Sequence, residues 1–267
     1  MKLKVLVDNN TYIDQYYLGE PAVSYYIEDE DTKILFDTGY SDIFISNSKK
    51  MGIDLNNIDK IVISHGHDDH TKGLKYFFEN KKDVELIAHP NCFCYKEDNT
   101  GLYIGSPLKK EELEKKCHLN LVDKPIKISK NIYYLGEIPE VYNFERRYSI
   151  GKTIVNNNKE DDYIKDDSAI VYKSDEGIFV ITGCSHSGIC NIIEYSKKVC
   201  KDDRVIGVIG GFHLFNKDER LSSTIEYFKN NNIKLLYPCH CVSLQAKIEI
   251  GKEIKIGEVG VGLEINF

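Results

Sequence analysis

Short apolar runs separated by polar or acidic turns dominate the chain, and most are too brief for helices. Residues 23–27 and 32–36 read as strands joined by the acidic turn 28–31, and residues 1–8 read as a strand before them. Ile61, Val62 and Ile63 form a continuous apolar run, the pattern of a strand buried on both faces. Residues 85–88 repeat it. Between these runs a helix is predicted over 42–51, with Gly52 as its stop, and a second carries Leu74, Phe77 and Phe78 at i, i+3, i+4 spacing. That second helix starts near Asp69 and His70. The middle of the chain, 92–167, has the weakest periodicity. It offers a lysine- and glutamate-rich helix at 109–116, a strand at 132–135 and a polar run at 156–162 that reads as a solvated loop or lid edge. From Asp167 the alternation resumes: a hairpin of 169–172 with 177–182, a helix over 189–199, a strand at 205–209, a helix over 219–230 and a strand at 235–237. Glycine- and isoleucine-rich strands are expected to close the chain at Phe267. Strands alternating with helices in this way make an α/β fold.

Composition narrows the picture. A chain of 267 residues has ample material for a core and is read as one domain spanning 1–267. With 42% hydrophobic and 29% charged residues it has the profile of a folded globular protein rather than a disordered one. The net charge of −7 argues against general binding to a phosphate backbone, so no nucleic-acid partner is expected. No apolar run approaches the roughly 20 residues that span a bilayer, and the first strand reaches a charge too soon for an export signal. A cytoplasmic protein with no membrane contact is expected. The eight cysteines are then read as reduced thiols, mostly small core residues. Cys184 and the pair Cys239 and Cys241 around His240 stand apart because of their neighbours.

The candidate chemistry begins at Ser64-His65-Gly66-His67-Asp68-Asp69-His70, directly after an apolar strand. Three imidazoles and two carboxylates within six residues exceed what helix capping requires and what one metal ion needs. His65 and His67, two apart on extended backbone, point the same way, whereas Asp69 and His70 at a helix mouth are offset to a second direction. Three further apolar strands, ending near 182, 209 and 237, also run into loops bearing histidine: His186, His213 and His240. Open α/β sheets place ligand sites at the carboxyl ends of their strands. Asp37 ends another strand in the same manner. His89, a lone histidine at a strand end, is read as structural. The cluster Tyr142, Phe144, Arg146, Arg147 and Tyr148 suits either loop packing or a substrate-facing wall with cations for an acidic group.

His65-x-His67-x-Asp69-His70 has the pattern of the metallo-β-lactamase superfamily, and Leu35-Phe36-Asp37-Thr38-Gly39 resembles that superfamily's first motif. The segments Thr182-Gly183-Cys184-Ser185-His186-Ser187-Gly188, Gly210-Gly211-Phe212-His213-Leu214 and His240-Cys241 resemble one branch, which includes proteins called dihydropterin–ribofuranosylaminobenzene 5′-phosphate synthases. The resemblance implies a four-layer αββα sandwich and a dinuclear site for two divalent metal ions, zinc first, with iron or manganese as alternatives. In it His65, His67 and His186 hold one metal, and Asp69, His70 and His240 the other. Cys184 is a further candidate ligand, standing where the superfamily usually has a bridging aspartate. The catalytic residues implied are Asp69, ligand and orienter of the nucleophile; Asp37, accepting an N–H from a ligand imidazole; and His213, donating a proton or hydrogen bond. His213 reads equally as a buried, hydrogen-bonded histidine. The function implied is a metallo-hydrolase acting on a small anionic substrate, a phosphoester or phosphodiester. Alternatives are a synthase coupling a dihydropterin to an aminobenzene ribose phosphate, and a mononuclear iron dioxygenase on the same fold. One departure, Val242-Ser243 after His240-Cys241, bears on substrate contacts rather than on metal.

Overall fold

The computed structural model describes residues 1–80 and 83–267. Two large sheets face each other. The first has seven strands in the order Glu264–Asn266, Lys2–Val7, Ser24–Asp29, Thr32–Phe36, Lys60–Val62, Glu85–Ala88 and His118–Leu121. The second has six, in the order Leu235–Pro238, Val205–Gly210, Gly177–Thr182, Ala169–Ser174, Ile132–Tyr134 and Ile126–Lys127. Strand periodicity explains the layering. Tyr25, Ile27, Phe36, Val62 and Ile87 of the first sheet interleave with Ile170, Phe179, Ile181 and Ile209 of the second to form the central core.

The alternate residues face outward, onto helices. Tyr26, Leu35, Ile61 and Leu86 pack against Phe44 of helix Ile43–Lys50 and against Leu74, Phe77 and Phe78 of helix Leu74–Asn80. Ile178, Val180, Val208 and Leu236 pack against helices Ile189–Cys200, Glu219–Asn230 and Leu244–Glu253. The result is the four-layer αββα sandwich expected from the motifs. Among the described residues, no helix is long and apolar enough to cross a membrane.

Four expectations change. The helix expected to start near Asp69 and His70 is two, Asp68–Thr71 and Leu74–Asn80, parted at Lys72-Gly73. The polar run at 156–162 is not a loop: Asn158–Asp161 is an edge strand that pairs with Gly151–Val155, which in turn pairs with Tyr95–Asp98. Asn156 and Asn157, both at positive φ (50° and 65°), make the two-residue turn, a conformation asparagine tolerates. Its exposed polar side chains hid the strand. The chain does not close in strands alone, because Leu244–Glu253 is helical behind Ser243, whose hydroxyl accepts from the Ala246 N–H. The helix at 109–116 shrinks to Lys110–Leu113 before the strand His118–Leu121.

Helix Ile189–Cys200 lacks a cap from its own chain end. Instead the buried Glu145 accepts from the Cys190 and Asn191 N–H groups at 3.0 and 2.8 Å. The Asn191 side chain then accepts from the Val141 and Tyr142 N–H groups, both at 2.9 Å. A loop and a helix start are thereby locked to each other. Glu145→Ala is expected to lower unfolding stability by about 1–3 kcal/mol, the cost of orphaning buried N–H groups, with Glu145→Gln recovering part of it. An unchanged urea midpoint for Glu145→Ala would contradict this role.

Candidate metal centre

Asp37 follows the last residue of strand Thr32–Phe36 and lies fully buried, with φ 56°. Its Oδ1 accepts from the Ser64 N–H and its Oδ2 from the Ser64 hydroxyl, both at 2.7 Å. Oδ2 also lies 2.7 Å from His70 Nδ1. A carboxylate accepts only, so Nδ1 carries a proton toward Asp37, and Nε2 is the nitrogen left to face the site. The carbonyl of His70 meanwhile accepts from the Thr38 N–H and hydroxyl at 2.9 Å each. Both ends of the histidine loop hang on the end of a neighbouring strand.

The middle of the loop is held from elsewhere. Gly66 N–H donates to Asp166 Oδ2 at 2.8 Å, and Asp166 Oδ1 lies 2.8 Å from the buried Lys96 ammonium. Lys96 completes a buried trio with Asp162 at 3.0 Å. Burial opposes charge on these groups. The carboxylates nevertheless raise the Lys96 pKa, and Lys96 holds Asp166 below the usual carboxylate range. Gly66 has no alternative at its position: a Cβ there would lie 1.9 Å from the Cys92 carbonyl oxygen. The next residue, Asp167, accepts from Ser187 N–H at 2.8 Å, beside His186, and burial pushes its pKa up to about 6. The adjacent Asp166 and Asp167 thus each fasten one histidine-bearing loop.

Seven side chains converge between the sheets' carboxyl ends in two groups, the candidate ligand atoms of each lying within 4.8 Å of one another. One holds His65, His67 and His186; the other Asp69, His70, Cys184 and His240. In the first, His65 Nε2 and His67 Nδ1 are 2.9 Å apart, and His186 Nε2 is buried with no hydrogen-bond partner among the described residues. Burial, reinforced by neighbouring histidines, holds His65 and His186 well below the ordinary imidazole range. Burial, with help from Lys96, lowers His67 to about 4. All three are neutral at pH 7. Neutral imidazoles with converging lone pairs and an orphaned nitrogen fit a divalent cation.

In the second group Cys184 Sγ lies 3.2 Å from His70 Nε2 and 3.1 Å from His240 Nε2. Asp69 Oδ2 lies 3.4 and 3.2 Å from the same two nitrogens. Burial disfavours a charged Asp69, but His70 and His240 outweigh it and hold the carboxyl well below its usual value. Two imidazoles, a carboxylate and a sulfur fit zinc or iron. Cys184 therefore stands with Asp69, His70 and His240. Each group draws donors from both sheets. His65, His67, Asp69 and His70 follow the first, whereas Cys184, His186 and His240 follow the second.

His213 follows strand Val205–Gly210 and belongs to neither group. Its ring lies 4.3 Å from that of His186, and its Nε2 is 3.0 Å from the Tyr148 hydroxyl. His240 is presented at φ 51° with its N–H on Asp8 Oδ1 at 3.0 Å. His89 lies apart, buried and 3.7 Å from Glu137. The aromatic–arginine cluster divides: Tyr142 and Phe144 pack on each other and on the helical core, and Arg147 ties Ile138 O to Ser187. Tyr148 alone reaches the site. Asp8, Lys96, Asp166 and Asp167 were not marked by the sequence, since the acids act through backbone N–H groups far along the chain and Lys96 acts through Asp166. For Asp166 and Asp167 the adjacency of two acids before a strand was the one signal.

The model of the metallo-beta-lactamase superfamily matches residues 18–106. An uncharacterised protein of Methanocaldococcus jannaschii is 35% identical over 253 residues, covering 94% of each chain. A second protein of that organism, named 7,8-dihydropterin-6-methyl-4-(β-D-ribofuranosyl)-aminobenzene-5′-phosphate synthase, is 32% identical over 270 residues, covering 96% of this chain and 92% of its own. The chain belongs to the metallo-β-lactamase superfamily. Within it, the crystal structure of Tm1679, a metal-dependent hydrolase of the superfamily, superimposes with a TM-score of 0.86 at 28% identity, over 100% of this chain and 99% of that one. A diphosphatase of the PhnP family shares the fold at a TM-score of 0.56 and 15% identity, over 100% and 97% of the two chains. Metallo-β-lactamase proteins generally bind divalent metals, and membership supports an enzyme.

Removing the clamp on Gly66 should loosen the first group without touching a ligand. Asp166→Ala is expected to weaken metal affinity about 10–100-fold, the usual cost of losing a partner that orients ligands. A competition titration with a chromogenic chelator measures it, and wild-type affinity in a folded variant would refute the clamp.

Proposed function

We propose that this metallo-β-lactamase protein is a dinuclear zinc hydrolase of a small anionic substrate, a phosphoester or phosphodiester, working in the cytoplasm. The observation that carries this reading is the pair of adjacent donor groups, three imidazoles beside an Asp-His-Cys-His set, with the His65 and His70 rings 4.2 Å apart. The first group, with three donors, would leave a tetrahedral cation one open position for solvent or substrate; the second, with four, would not. Bound cations would acidify water toward neutral pH and offset charge developing on the substrate.

The protein's own residues supply the rest. Asp69, kept ionised by His70 and His240, accepts a hydrogen bond from the attacking water and orients it. Asp37 fixes the proton of His70 on Nδ1, so that Nε2 faces the site. His213 Nε2 donates to the Tyr148 oxygen at 3.0 Å beside His186, leaving the Tyr148 hydroxyl hydrogen for an oxygen of the substrate or leaving group. The buried floor beneath these groups, with Asp37, His65 and Cys184 shielded from solvent, strengthens each interaction through its low dielectric.

His67→Ala is expected to remove metal and activity together, as read by elemental analysis and a screen of phosphodiester, phosphomonoester, thioester and lactone substrates. Two metals retained in that variant would overturn the ligand assignment. Chelation followed by zinc should abolish and restore hydrolysis, and iron restoring it where zinc does not would replace the metal named here.

A second reading, a synthase joining a dihydropterin to an aminobenzene ribose phosphate, is favoured by the relative bearing that name at 32% identity. Incubating the metal-loaded protein with both substrates decides it: a coupled product detected by mass spectrometry supports the synthase, and its absence removes it.

A further inference from the structure

Tyr148 and Phe215 are large aromatic side chains left 53% and 47% exposed, and both lie against His213. The Phe215 ring stands edge-on to the imidazole at 4.8 Å, and the Tyr148 ring lies tilted 6.3 Å away. His213 itself adjoins His186, a member of the first donor group, at 4.3 Å. Two half-exposed rings thus flank the residue next to the reacting centre. Neither belongs to the internal cores, although Phe212 and Leu214 on either side of His213 are buried.

The wall is held in place. Ser243 hydroxyl donates to the Phe215 carbonyl at 2.8 Å, and Ser243 N–H donates to the Leu214 carbonyl at 3.0 Å. Leu214 and Val242 bridge in parallel. The Val242-Ser243 pair at the last histidine motif therefore sets the position of Phe215. At His213 the backbone adopts φ 50°, an uncommon conformation for a non-glycine residue. The bend turns the imidazole toward His186 while the chain continues outward to Phe215.

We propose that Tyr148 and Phe215 form a specificity wall for a planar aromatic group attached to the anionic reacting centre. This rests on the hydrolase reading for the identity of that centre. Aromatic rings prefer offset or edge-to-face partners at about 4.5–7 Å, and the faces left free here suit a flat ring better than a saturated one. The Tyr148 hydroxyl, at the tip of one ring and bonded to His213, places a polar atom where the aromatic group meets its charged substituent.

The test is binding of phenyl-, cyclohexyl- and methylphosphonate to the zinc-loaded protein by calorimetry, with turnover of phosphodiesters measured separately. Phenylphosphonate is expected to bind about 10-fold more tightly than methylphosphonate, the scale of an aromatic contact, and more tightly than cyclohexylphosphonate. Phe215→Ala should bring phenyl and methyl together, while Phe215→Tyr keeps them apart. Ser243→Ala, which releases the Phe215 carbonyl, should narrow the ratio and leave the metal content unchanged. Equal affinity for phenyl and cyclohexyl groups, or a ratio unmoved in Phe215→Ala, overturns the wall but not the hydrolase. Aromatic preference without turnover of any phosphoester keeps the wall and overturns the hydrolase. Failure of all three to bind overturns the wall, and absent phosphoester turnover beside it overturns the hydrolase as well.

Discussion

One buried carboxylate holds the histidine loop together. Asp37 receives hydrogen bonds from Ser64, the residue before the first imidazole, and from His70, the last of the motif. A carboxylate buried in this way is costly unless its oxygens are fully bonded. Here the bonding and the positioning are the same interactions. Because Thr38 also binds the His70 carbonyl, the strand end fixes both the ring and the backbone of that residue. The rest of the site inherits its geometry: Cys184 and His240 meet His70 and Asp69 only because this loop is already in place.

A second layer of support comes from the middle of the chain. Lys96 and Asp166 form a buried ion pair that reaches the loop through Gly66, and Asp167 reaches the His186 loop through Ser187. The glycine, with its missing side chain, allows the Cys92 carbonyl to pass close enough for this clamp to form. A Lys–Asp pair in such surroundings adds little net stability beyond its desolvation cost. Its value lies in fixing where a backbone N–H points.

How much of this could be read from the residues alone follows from what each residue acts through. His65, His67, Asp69 and His70 were legible because their donors are contiguous and follow an apolar strand; His186 and His240 were legible because each sits in a loop directly after an apolar strand. The outer layers followed from the i, i+3, i+4 spacing of Leu74, Phe77 and Phe78 and from the apolar face of helix Ile189–Cys200. Lys96 and Asp166 were hidden because a buried ion pair has no local pattern when its members are 70 residues apart. The strand Asn158–Asp161 was hidden because every residue in it is exposed, so no alternation marks it. In Leu244–Glu253 the alternating Ile248 and Ile250 imitate a strand, and the capping Ser243 was the sign of a helix. The split of Tyr148 from Tyr142 and Phe144 depended on tertiary packing alone.

Both donor groups straddle the two sheets, and their ligands come from the first third of the chain on one side and from residues 184–240 on the other. An isolated first half would carry His65, His67, Asp69 and His70 but neither His186 nor His240. During synthesis it could make only partial, weak contacts with a cation. A full ligand set exists only once the second sheet has docked, and an ion bound there would stabilise the joined state by an amount that grows with the logarithm of its concentration. Metal supply would therefore bear on the joined fold rather than on either sheet alone. Under scarcity the expected casualty is the lifetime of the sheet-to-sheet interface, well before any change in either sheet by itself.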